Sequence, residues 1–133
     1  MQIKCISLKL SNDQLSKHGR HAAVTNNYVI TINKCYNVFG LTFNFSDFSV
    51  GCFVEIISDN NNLVHVPIVL FEIVDNRPSN YWVVKKFSDG TVTLWPPSFY
   101  QEFYHDDLSE GVPEIMEDFK RVKEMILSEY NYE

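Results

Sequence analysis

Between Tyr28 and Trp95 the chain alternates apolar and polar residues at period two, in runs too short to be helices. Tyr28, Ile30 and Ile32 oppose Val29, Thr31 and Asn33, with the β-branched enrichment of a strand. Residues 35–45 (CYNVFGLTFNF) repeat the pattern, and Gly40 inside them marks a bulge or sharp bend. Residues 51–58 (GCFVEIIS) form a further strand, closed by Asp59-Asn60-Asn61-Asn62, residues that tolerate a left-handed backbone. Pro67 limits pairing just before Ile68–Val74, an apolar run that reads as buried. At the start, Ile3 and Cys5 alternate with Lys4 and Ile6 in another strand. Residues 11–27 are polar and predict a loop with one helical turn at Asp13–Lys17.

Tyr81–Phe87 and Thr91–Trp95 flank Asp89-Gly90, which predicts a hairpin closed by a two-residue type I′ turn. That register sets Phe87 opposite Val92, Lys85 opposite Leu94 and Val84 opposite Trp95. Phe87, Val92, Leu94 and Val83 then share one face, and Trp82, Val84, Trp95 and Lys86 the other. After Pro96-Pro97 the period changes. Ser98 with Gln101 is a capping-box pair, so a short helix is expected over Phe99–His105, with Phe99 and Phe103 stacked along one side. Pro113 suits the first position of a second helix, in which Ile115, Phe119, Val122 and Ile126 form a core-facing stripe. The expectation is one α+β domain over residues 1–133. Antiparallel strands fill most of 1–95, and a helical acidic segment with two helices fills 96–133. A small, partly closed, SH3-like barrel would suit such dense short strands.

With 133 residues, 45% hydrophobic, the chain has apolar surface enough for a core. No apolar run reaches the roughly 20 residues that span a bilayer, and the opening residues lack the continuous apolar stretch of a signal peptide. A cytoplasmic protein is expected. Cys5, Cys35 and Cys52 are odd in number and far apart, which suits neither a disulfide framework nor zinc; buried free thiols are expected for Cys35 and Cys52. The net charge of −6 is unevenly placed. Residues 1–50 carry five bases against two acids, whereas residues 99–133 carry ten acids against three bases. An acidic surface repels nucleic-acid phosphates and attracts basic partners.

No chemistry-bearing motif emerges. There is no G-x-S-x-G elbow, phosphate loop or dinucleotide glycine pattern. His105-Asp106-Asp107 sets an imidazole beside two carboxylates, but neighbours near a helix end point apart, and His18, His21 and His65 lie in distant segments. His18, Arg20 and His21 read as an exposed loop. No catalytic residue, metal, cofactor or small-molecule substrate is therefore expected, and a hydrolase built on His105 ranks last.

Tyr81, Trp82, Trp95, Phe99, Tyr100, Phe103 and Tyr104 fall within 24 positions, directly before the acidic stretch. Nucleic acid stacks on aromatics in basic grooves, and here the neighbours are acidic. Aromatic anchors ringed by charge suit a protein interface. The expected partner-binding set is Trp82, Tyr100 and Tyr104 as anchors, with Glu102, Asp106, Asp107, Glu110, Glu114, Glu117 and Asp118 as the acidic frame. The layout YVITINKCYNVFGL at Tyr28–Leu41, followed by LFEIVDNRPSNYW at Leu70–Trp82, resembles small bacterial immunity proteins of polymorphic and contact-dependent growth inhibition systems. The resemblance is one of size, acidic balance and general layout over about residues 28–130. It implies a one-to-one complex with a cognate toxin domain, often a basic nuclease, and no catalysis. An SH3-like module taking a peptide on the Trp82/Trp95 surface is the other reading.

Overall fold

The computed structural model describes residues 1–14, 28–46 and 49–130. Of the predicted 11–27 loop, residues 12–14 are helical; the rest, with His18, Arg20 and His21, lies outside the described residues. The strands are β1 (Gln2–Cys5), β2 (Cys35–Asn37), β3 (Gly40–Ser46), β4 (Ser49–Ile57), β5 (Leu63–Pro67), β6 (Phe71–Asp75), β7 (Val83–Lys86) and β8 (Val92–Trp95). They build two antiparallel sheets, β2-β1-β6 and β5-β4-β3-β8-β7. Two helices follow, α1 (Tyr104–Ser109) and α2 (Pro113–Ser128), after a 3₁₀ turn at Pro97–Tyr100. The chain is α+β, as its pattern predicts. No helix among the described residues is long and apolar enough to cross a membrane.

The chain passes from one sheet to the other at Val38–Phe39. Val38 N–H donates to Met1 O at 3.1 Å, and Phe39 N–H donates to Glu55 O at 2.8 Å. Strand β4 lies behind that crossing and is buried on both faces, Phe53 through Ile56 without a break. A strand covered on both sides reads as a continuous apolar run rather than an alternating one. Val54 and Ile56 belong to the larger core with Ile3, Cys5, Tyr36, Val38 and Leu70. On the other face β4 turns Glu55 toward the helices, where Phe39, Phe99, Tyr104, Val122 and Ile126 make a second core. Ile115 and Phe119 pack against it, so the predicted stripe of α2 is the one that is used.

Several local expectations are corrected. Residues 28–33 are not a strand. Asp59 N–H donates to Val29 O at 2.8 Å, Thr31 and Lys34 side chains donate to the Asp59 carboxylate at 2.6 Å, and Asn33 turns the chain at φ 72°. Local side-chain bonds to the backbone and loop have displaced the ladder that alternation alone suggests. Ile73 and Val74, predicted buried, are half exposed because β6 edges its sheet, and Cys35 is exposed. The β7–β8 hairpin is one residue out of the predicted register. Lys86 pairs with Val92 and Val83 with Trp95 around a three-residue loop, Ser88-Asp89-Gly90, with Gly90 at φ 93°. A left-handed glycine at the third loop position closes a three-residue hairpin, not a type I′ turn. The shift moves Trp95 onto the face of Val83 and Lys85. The helix predicted over Phe99–His105 is broken at Phe103, which stands at φ 61°, so Phe99 is buried and Phe103 exposed.

Candidate functional site

Antiparallel register builds the most chemically loaded place in the molecule. Glu55 on β4 pairs with Gly40 on β3 and with His65 on β5, so these three share one row on one face of the sheet. The next pair along, Leu41 with Leu94, puts Trp95 one step from Gly40 on the same row. The row works because Gly40 has no side chain. A Cβ there would stand 2.7 Å from Glu55 Oε2 and 2.8 Å from Trp95 Cδ1. The role of Gly40 is thus close approach, not the bend its place in a strand pattern suggests.

Helix α1 lays His105 over this row. Tyr104, 1% exposed, anchors α1 by donating its hydroxyl to Asp118 Oδ2 of α2 at 2.9 Å and by packing its ring 5.2 Å from Phe99. The following residue, His105, sits 5.0 Å from the Trp95 ring, 5.1 Å from Phe99 and 6.0 Å from His65. Trp95 is itself fixed by donating its indole N–H to Thr42 Oγ1 at 3.1 Å.

The three polar groups converge on one oxygen. Glu55 Oε1 takes a short contact from His65 Nε2, and His105 Nε2 stands 2.7 Å from the same atom without making an in-line hydrogen bond to it. The Glu55 side chain is 0% exposed, and its other oxygen, Oε2, has no donor among the described residues. Burial pushes the Glu55 carboxyl up, but the two imidazoles facing it outweigh that and hold it below the usual carboxylate range. The side chains of His65 and His105 are partly open to solvent. A cleft of about 390 Å³ opens beside His105, lined by Leu63, Leu108, Met116, Phe119 and Lys120 among others.

Forty positions separate His65 from His105, and only strand register and the docking of α1 close the gap. Asp106 and Asp107, its sequence neighbours, are not the carboxylates His105 meets. One signal was available: Glu55 is the lone charge in an otherwise apolar strand, and a buried charge requires a partner.

The predicted partner-binding residues divide into two groups. Glu102, Asp106, Glu110, Glu114 and Glu117 are exposed, and Asp107 is half-buried. Asp118 is engaged within the fold by Tyr104 and, at 3.5 Å, by Arg121. Trp82 is half-buried, donating its indole N–H to Phe39 O at 3.0 Å, and Tyr100 donates to Val83 O at 2.7 Å. Tyr104 is a core residue with no surface to offer a partner in this structure. The exposed aromatic of the segment is instead Phe103, 64% exposed, at the mouth of a groove of about 350 Å³ that also holds Lys85, Phe87, Trp95 and Tyr100. Beside it runs β7, an edge strand among the described residues, with all four of its residues exposed.

Comparison of the chain with protein-family models, with curated proteins and with solved structures finds no match in any of the three.

Proposed function

We propose that this chain is a binding protein that neutralises a basic protein partner, acting as an immunity protein toward a toxin nuclease domain. Phe103 carries the reading. A non-glycine residue held left-handed costs on the order of 1–3 kcal/mol and persists where the surroundings impose it, most often at ligand clamps and switch regions. Here that strain displays a phenylalanine ring to solvent, between exposed Glu102 and exposed Asp106. An aromatic anchor within an acidic frame suits a partner rich in Lys and Arg. The acids speed and orient the encounter, and the desolvated ring lengthens the complex's lifetime. Asp106 on α1 and exposed Glu110 at its C-terminal cap, four positions on, extend the frame.

The test is binding of the purified protein to the product of the adjacent gene, followed by calorimetry and stopped-flow kinetics at low and high salt. A one-to-one complex is expected. Its on-rate should fall by about tenfold or more as salt is raised, and Phe103→Ala should weaken it by roughly 30-fold, the scale of an aromatic hot spot. Binding that ignores both salt and Phe103→Ala would remove the mechanism.

A further inference from the structure

We propose that Glu55, His65 and His105 form a binding site for a first-row transition-metal cation of the Zn²⁺ type, independent of the partner surface. One donor atom from each of Glu55, His65 and His105 lies within 4.8 Å of the other two, and both Nε2 atoms close on Glu55 Oε1. Two imidazoles and one carboxylate, leaving a fourth position free, are a donor set that zinc uses in open sites. Imidazole nitrogen selects zinc, copper or nickel over calcium and magnesium, which take oxygen ligands.

Hydrogen bonding alone leaves the cluster incomplete. Both imidazole nitrogens crowd a single carboxylate oxygen, only His65 makes a hydrogen bond to it, and the buried Oε2 is unpartnered. A cation at the centre would use the lone pairs of all three groups at once and compensate the buried charge of Glu55, which is otherwise costly in a strand covered on both faces. The surroundings hold the donors in place. Gly40 leaves the room Glu55 occupies, Trp95 and Phe99 wall His105, and the His65 and His105 edges give a route from solvent.

Zinc–ligand bonds near 2.0–2.1 Å separate tetrahedral donors by about 3.4 Å, so loading requires both imidazoles to draw back from Glu55 Oε1. His65, the nearer of the two, has the more room to do so. It sits on β5, an edge strand among the described residues, with a side chain 45% exposed, while Glu55 is fully buried and His105 is clamped between rings.

The experiment uses the full chain stripped with chelator and then titrated with ZnCl₂ by calorimetry, with Co²⁺ as a spectroscopic substitute. One equivalent should bind, raise the melting temperature and give the visible absorption of tetrahedral Co²⁺. Binding should weaken on acidification, because the ligands must be unprotonated to bind the cation. His65→Ala, on the exposed edge and safe for folding, and the isosteric Glu55→Gln should each reduce affinity by more than the roughly 10–100-fold lost with an outer-layer partner. A His18→Ala/His21→Ala double variant should bind as the parent does. Binding no tighter than millimolar, or binding kept by His65→Ala and Glu55→Gln but lost in the His18/His21 variant, overturns the site.

Discussion

At the scale of single residues, Asp59 and Gly40 explain why an otherwise ordinary β pattern takes this form. Asp59 gathers hydrogen bonds from Lys34, Thr31 and Tyr36, which tie the loop before β2 to the turn after β4. The bond from Lys34 comes first among the causes that lower the Asp59 pKa from 3.8 to about 2. A carboxyl whose pKa is depressed by folding adds stability above its unfolded value and loses it as pH falls through its folded value. Asp59→Asn should therefore lower the melting temperature at neutral pH, and the gap from the parent should close as pH falls from 3.8 toward 2. Thermal unfolding at several pH values measures it. Gly40 supplies a second test. Gly40→Ala drives a methyl into Glu55 and Trp95, both fixed, and should destabilise by about 1–3 kcal/mol as an overpacked site. The thiols give a third: burial raises Cys52 to about 11, Cys5 is buried, and Cys35 is exposed. Iodoacetamide at mildly alkaline pH should label Cys35 first, with Cys5 and Cys52 following only on denaturation, as mass spectrometry of digests would show.

At the scale of elements, the link between the 3₁₀ turn and α1 decides which aromatic is core and which is surface. A continuous helix over Phe99–His105 would have buried Phe103 beside Phe99. The left-handed break at Phe103 turns the chain so that Tyr104 enters the second core and His105 meets the sheet. Phe103→Gly removes the conformational strain and should stabilise the fold, or leave it unchanged, while weakening partner binding, by the order of 1 kcal/mol in stability. Denaturant unfolding beside calorimetry separates the two effects. Tyr104→Phe takes the hydroxyl from Asp118 and should cost about 1.5–3 kcal/mol, the scale of a hydrogen bond to a charged group. The hairpin teaches the same lesson on register. Asp-Gly is common to two loop types, and local sequence does not separate them, whereas the pairing of β8 with β3 holds Trp95 and Thr93 on the helix side.

At the scale of the whole molecule, the acidity of residues 99–133 is carried mainly by exposed positions on and around the two helices, with Asp118 spent inside the fold. The proposed complex should accordingly be sensitive to salt, while the metal site, inside the seam between sheet and helix, should respond to pH and chelator. The two can be disabled separately: Phe103→Ala leaves zinc binding intact, and His65→Ala leaves the partner's affinity intact.

The sequence by itself determined the α+β class, most strand positions in 35–95, the second helix with its stripe, and the location of the acidic surface. These follow from periodicity and charge, which local physics reads directly. Only the tertiary structure decided that Glu55, His65 and His105 meet, that Gly40 is small to admit a carboxylate, and that Tyr104 and Phe103 exchange places. Those facts depend on strand register and on the break before α1, where a one-residue slip carries a side chain to the opposite face. Spacing along the chain holds no record of such a convergence, because residues distant in sequence are brought together by pairing and packing alone.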